Sequence, residues 1–149
     1  MTEVSFYHLQ QSTLEVALPK LLEKTLGAGK RAVVRLGSAQ RVDAINAQLW
    51  TYRPDSWLPH GGIKDGHGED QLVWLTAEEE NPNGATFLFL ADGADWADVG
   101  DYERCFELFN GHDDEAVQTA RERWKGYKDA GHEVTYWQQN DGGAWEKKA

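Results

Sequence analysis

Four of the chain's fifteen basic residues fall within eight positions, in the run Arg121-Glu122-Arg123-Trp124-Lys125-Gly126-Tyr127-Lys128. Residues at i, i+3, i+4 and i+7 share one face of a helix, so Arg121, Trp124, Lys125 and Lys128 line up together. Val117, Ala120, Trp124 and Tyr127 form the neighbouring apolar stripe, which puts Trp124 at the seam. Basic groups around an aromatic shelf suit a peptide that carries carboxylates and one bulky apolar side chain. The three cations repel one another along the helix unless an anion lies across them. Pattern alone nevertheless favours a plainer account: an amphipathic helix with a solvated basic edge, whose Lys125 and Lys128 complement the helix dipole.

The other residue groups with chemical potential are weaker. Gly27-Ala28-Gly29-Lys30-Arg31 has the composition of a phosphate loop, but it follows a predicted helix and precedes a predicted strand, the reverse of what such a loop requires. Asp92 and Asp95 follow an apolar strand, like the acidic end of a magnesium-binding strand in nucleotide hydrolases. His60, His67, Glu69 and Asp70 could gather around a metal, though their spacing matches no common zinc pattern. The rival to a binding function is therefore a nucleotide- or metal-dependent hydrolase that uses Asp92, Asp95 and the His60–Asp70 loop.

Composition narrows the choice. At 149 residues, with 40% hydrophobic side chains, the chain suits one compact α/β domain over 1–138, followed by a flexible tail over 139–149. Seven Trp, five Tyr and five Phe are a heavy aromatic load, suited in part to protein interfaces. The net charge of −10 would repel a phosphate backbone, so direct DNA binding over a broad surface is not expected. The single cysteine, Cys105, excludes an internal disulfide and reads as a buried, inert thiol. No run approaches the ~20 apolar residues of a membrane span, and Met1–Leu9 lacks the basic start and apolar core of a signal peptide. A cytoplasmic location is expected.

The elements that must position these residues alternate. Val4–Leu9 reads as a strand. Leu14–Leu26 has helical spacing, with Pro19 marking a start inside it, and Gly27 and Gly29 ending it. Ala32–Leu36 is a second strand, and Ser38 caps a helix through Leu49-Trp50 that Pro54 stops. Trp57–Asp70 reads as an ordered loop. Leu72–Leu75 and Thr86–Leu90 are strands buried on both faces, or else a long hairpin about Asn81-Pro82-Asn83-Gly84. Tyr102–Phe109 reads as a short helix. Asp113 or Asp114 caps the basic helix, Gly131 stops it, and Glu133–Trp137 is the last strand. This order predicts a single α/β domain with a mostly parallel sheet and helices on both faces.

Several of these segments together resemble the chi subunit family of bacterial DNA polymerase III. They are Ser5-Phe6-Tyr7-His8-Leu9, Gly29-Lys30-Arg31, Leu49-Trp50 followed by Arg53-Pro54 and Ser56-Trp57-Leu58-Pro59-His60, and Arg121–Gly131. The resemblance implies a Rossmann-like fold without a nucleotide-binding loop. It also implies an accessory subunit of a DNA-directed DNA polymerase that has no catalytic site or cofactor of its own. In that family the subunit joins the clamp loader, through the psi subunit or another clamp-loader subunit, to the acidic, Phe-terminated tail of the single-stranded DNA-binding protein. Carried over, Arg121, Lys125 and Lys128 meet the tail's carboxylates, and Trp124 shapes the pocket for its Phe. Trp50 and Trp57 fall on the surface for psi, or alternatively for a helicase; packing remains an equal reading of Trp50. Two positions depart from the family's usual residues. Trp124 stands where Tyr is common and lacks its hydroxyl, and Lys128 stands where Arg is common and cannot grip a carboxylate with two parallel hydrogen bonds.

Overall fold

A computed structural model describes residues 2–10, 13–50, 61–62, 72–97, 99–139 and 145–148. The elements run β1 (Glu3–Leu9), α1 (Leu14–Gly27), β2 (Ala32–Arg35), α2 (Ala39–Trp50), β3 (Gly61–Gly62), β4 (Val73–Thr76), β5 (Phe87–Leu90), β6 (Arg104–Asn110), α3 (Asp114–Asp129), β7 (Glu133–Gln139) and β8 (Trp145–Lys147). They form one eight-stranded sheet in the order β3-β4-β2-β5-β6-β1-β7-β8. Its pairings are parallel apart from the antiparallel β7–β8 edge. This is the mostly parallel α/β architecture that the element order predicts, and it is consistent with the Rossmann-like fold that the resemblance implies.

Successive strand residues point to opposite faces, and both faces are apolar because helices cover both. On one face Val34, Leu75, Phe89 and Leu108 pack with Leu18 and Leu22 of α1 and Ile45 of α2. Phe89 and Phe106 stack there, with centroids 4.4 Å apart. On the other face Phe6, Val33, Leu88 and Cys105 lie with Ala120 of α3, with Val99 of a short 3-10 turn and with Tyr102 just after it. Adjacent strands β1 and β6 therefore send their following helices, α1 and α3, to opposite faces. A crevice opens at such a switch point, beyond the strands' carboxyl ends.

Several expectations change. Tyr102–Phe109 is not a helix: Arg104–Asn110 is the strand β6, hydrogen-bonded between β1 and β5. Tyr102, Phe106 and Phe109 happen to recur at helical intervals, but a strand enclosed on both sides is apolar at consecutive positions, and Cys105 to Leu108 are all buried. The hairpin alternative fails because β2 lies between β4 and β5 and is parallel to both. Helix α1 starts at Leu14, with Pro19 inside it. The Ser38 hydroxyl does cap α2, accepting from the Arg41 amide at 3.2 Å.

Of residues 139–149, expected as a flexible tail, Gln139 ends β7 and Trp145–Lys147 pairs with it as β8. Trp145 lies edge-on to Tyr7, centroids 4.9 Å apart, and Trp137 stacks on the same ring at 6.3 Å. Burial on a neighbouring strand thus orders a segment whose composition signals nothing. Pro54, Trp57 and most of the Trp57–Asp70 loop, with His60, His67, Glu69 and Asp70, lie outside the described residues.

Trp145→Ala should lower stability by about 1 kcal/mol, the scale of an aromatic contact at a half-buried site. The change would appear as a reduced urea midpoint; an unchanged midpoint would mean that β8 packs too weakly to matter.

Candidate functional site

Helix α3 is held at its start by the Asp113 side chain, which accepts from the amides of Glu115 (3.0 Å) and Ala116 (3.3 Å). Gly131 ends it with φ +88, a conformation that disfavours residues with a Cβ. Between these ends the helix is tied to the sheet by a buried carboxylate. Glu107, only 5% exposed on β6, receives Arg123 Nη1 at 2.9 Å and the Tyr127 hydroxyl at 2.6 Å. The guanidinium also donates to the carbonyls of Ala94 (2.7 Å) and Gly93 (2.8 Å), reaching the segment after β5. Burial pushes the Glu107 carboxyl up, while the Arg123 charge and the Tyr127 hydroxyl pull it back. Burial and the neighbouring carboxylate hold the Tyr127 phenol well above its ordinary range.

With Arg123 turned inward, the remaining cations of the run face out. Arg121, Lys125 and Lys128 are exposed, and Trp124 is half-buried at the seam, as the helical spacing predicts. Trp124 packs on Phe6 (5.6 Å) and meets Tyr136 in a T-shaped contact at 6.0 Å. The Lys128 ammonium sits 5.4 Å from the Trp124 ring centroid, a cation–π distance. Beside this face runs a largely apolar groove of about 400 Å³, lined by Phe109, Val117, Ala120, Arg121, Trp124 and Tyr136. The structure thus brings Arg121 and Trp124 to one groove, with Lys128 over Trp124.

Two walls of the groove were not among the predicted site residues. Phe109 lies on β6 and Tyr136 on β7, and their proximity to α3 comes only from strand order. Behind them, His8 Nδ1 shares a hydrogen bond with the Tyr136 hydroxyl, and the His8 ring lies 5.0 Å from that of Phe109. The Glu107 anchor did carry a signal: an acid inside an otherwise apolar strand requires a cationic partner.

A larger cleft, about 870 Å³, occupies the switch point between β1 and β6. Its charged lining is mostly acidic, and both guanidinium groups in it are engaged. Arg41 bridges Glu15 and Asp92, each at 2.9 Å, and Arg123 holds Glu107. Asp92 and Asp95, the acids of the hydrolase reading, thus meet Arg41 and Arg35 respectively. Gly29, with φ +77, sits between α1 and β2 as a helix stop.

A family model described as DNA polymerase III chi subunit, HolC, matches residues 1–135. The chain belongs to the chi subunit family. A relative described as a probable DNA polymerase III subunit chi, from Rickettsia prowazekii (strain Madrid E), is 27% identical over 109 residues. That match covers 73% of this chain and 66% of the relative. The matched span runs through α3 and into β7, taking in every lining residue of the groove except Tyr136, which lies one residue beyond it. No described helix is long and apolar enough to cross a membrane. Trp50 closes α2 by its backbone, while its side chain and Trp57 lie outside the described residues.

Removing one partner of a buried ion pair leaves the other charge uncompensated. Arg123→Ala should therefore cost about 3 kcal/mol in urea unfolding, whereas Lys125→Ala on the exposed face should stay within about 0.5 kcal/mol.

Proposed function

We propose that this chain is a non-catalytic accessory subunit of a DNA polymerase III holoenzyme. In this reading it links the clamp loader to the single-stranded DNA-binding protein by docking that protein's acidic, Phe-terminated tail. The observation that carries the reading is the groove beside α3: an aromatic-walled space of about 400 Å³ with Arg121 in its lining. Lys125 and Lys128 stand exposed on the same helix. Such a site matches one bulky apolar side chain followed or preceded by carboxylates. Membership of the chi family supports the assignment to the polymerase complex. The Trp50 and Trp57 region is proposed, on the sequence resemblance, as the surface for psi, another clamp-loader subunit or a helicase. The groove's cations serve a peptide, and the overall negative charge argues against a DNA-binding role. A cytoplasmic location follows from this role.

A fluorescently labelled acidic peptide ending in Phe should bind at about micromolar Kd and weaken as salt rises. Arg121→Ala and Lys125→Ala should each weaken it about three- to ten-fold, less than a fully buried charged hydrogen bond because both side chains are solvated. Their circular dichroism should match the parent. Unchanged binding in both variants would overturn the site assignment.

A further inference from the structure

The imidazole of His8 lies behind the groove, hydrogen-bonded on one side and enclosed by backbone on the other. Its Nδ1 is hydrogen-bonded to the Tyr136 hydroxyl, and its other edge lies against Gly111. The Gly111 amide donates to the Leu9 carbonyl at 2.7 Å, which holds the turn against the ring. Gly111 is needed for this placement: a Cβ there would fall 2.0 Å from His8 Cδ2 and Nε2.

Protonation leaves one arrangement for the Tyr136 bond. Both ring nitrogens of a histidinium donate, so the Tyr136 oxygen becomes the acceptor and its own proton turns away from His8. Tyr136 and Phe109, the two rings in contact with His8, are also walls of the groove. We propose that His8, acting through Tyr136, is a positioning residue that makes occupation of the groove by an anionic peptide proton-dependent. The inference rests on the docking reading above and adds a control on the same site. A peptide carboxylate gains both a cation behind the groove and a hydroxyl free to donate, so binding strengthens as the ring protonates.

The groups that face His8 agree on where this happens. Burial is the largest influence and holds the imidazole below its ordinary range, the Gly111 backbone opposes it, and His112 on the turn after β6 adds to it. On β7 the facing titratable group is Tyr136, whose phenol is itself raised by burial and lowered by Arg121 of α3. The free ring is therefore neutral at neutral pH. An anion in the groove stabilises the charged form and raises the ring's pKa. By linkage, affinity rises as pH falls through that range.

The test is anisotropy with the acidic Phe-terminated peptide at fixed ionic strength from about pH 7.5 to 5.5, where the peptide's carboxylates stay ionised. Wild type should bind about five-fold tighter at the lower pH. His8→Asn should give a flat profile and Tyr136→Phe a shallower one than wild type, while His112→Gln should retain the slope. In wild type, the His8 ring resonances should titrate at a higher pH with peptide bound than without, a readout that needs no variant. Binding with a flat wild-type profile, or a slope that survives His8→Asn, overturns this inference alone. Absence of binding at every pH overturns the docking reading and this inference with it.

Discussion

The position of α3 depends on one buried charge. Glu107 sits in a strand enclosed on both sides, where an unpaired carboxylate would be expensive to keep. Its two oxygens are met from a single helix, by residues one turn apart, Arg123 and Tyr127. Apolar packing could tolerate small rotations of α3 about its axis; this paired geometry tolerates few. Because the guanidinium also reaches the carbonyls of Gly93 and Ala94, the helix is fixed to two consecutive parts of the sheet at once. Whatever α3 presents to solvent is thereby fixed as well.

That rotation divides the cations of the basic run by role. Arg123 is held inward, and Arg121, Lys125 and Lys128 are left outward with Trp124 between them and the core. An overall acidic protein thus carries one localised basic face whose orientation is set from inside. The larger crevice at the switch point, where α/β folds commonly hold ligands, has its guanidinium groups bound to its own acids. The groove beside α3 is smaller and largely apolar, and its cations are directed outward.

Much of this was legible in the sequence, for identifiable reasons. The face made by Arg121, Trp124, Lys125 and Lys128 is a purely local property of helical periodicity, and the helix that carries them has strong signals at both ends. Strands such as Phe87–Leu90 are short apolar runs with turn residues beside them. The misreading of Tyr102–Phe109 came from periodicity alone, which cannot separate a two-face-buried strand from a short helix. The walls contributed by Phe109 and Tyr136 were hidden because strand order, a long-range property, brings β6, β1 and β7 together. The packing of Trp145 was hidden in the same way, since the ring it meets, Tyr7, is remote in sequence. The acid at position 107 was the missed clue: once placed in a strand, it would have required an inward cation on the covering helix.

Gly111 has a consequence that reaches beyond the single molecule. Its missing side chain leaves the space that the His8 ring fills. Positions 8 and 111, on different segments of the chain, therefore cannot drift independently as sequences diverge. A lineage that acquired any side chain at 111 would have to give up the imidazole at 8 or move it, and Tyr136 would lose its present hydrogen-bond partner. Among descendants of this sequence, the three positions should record a shared history of substitution.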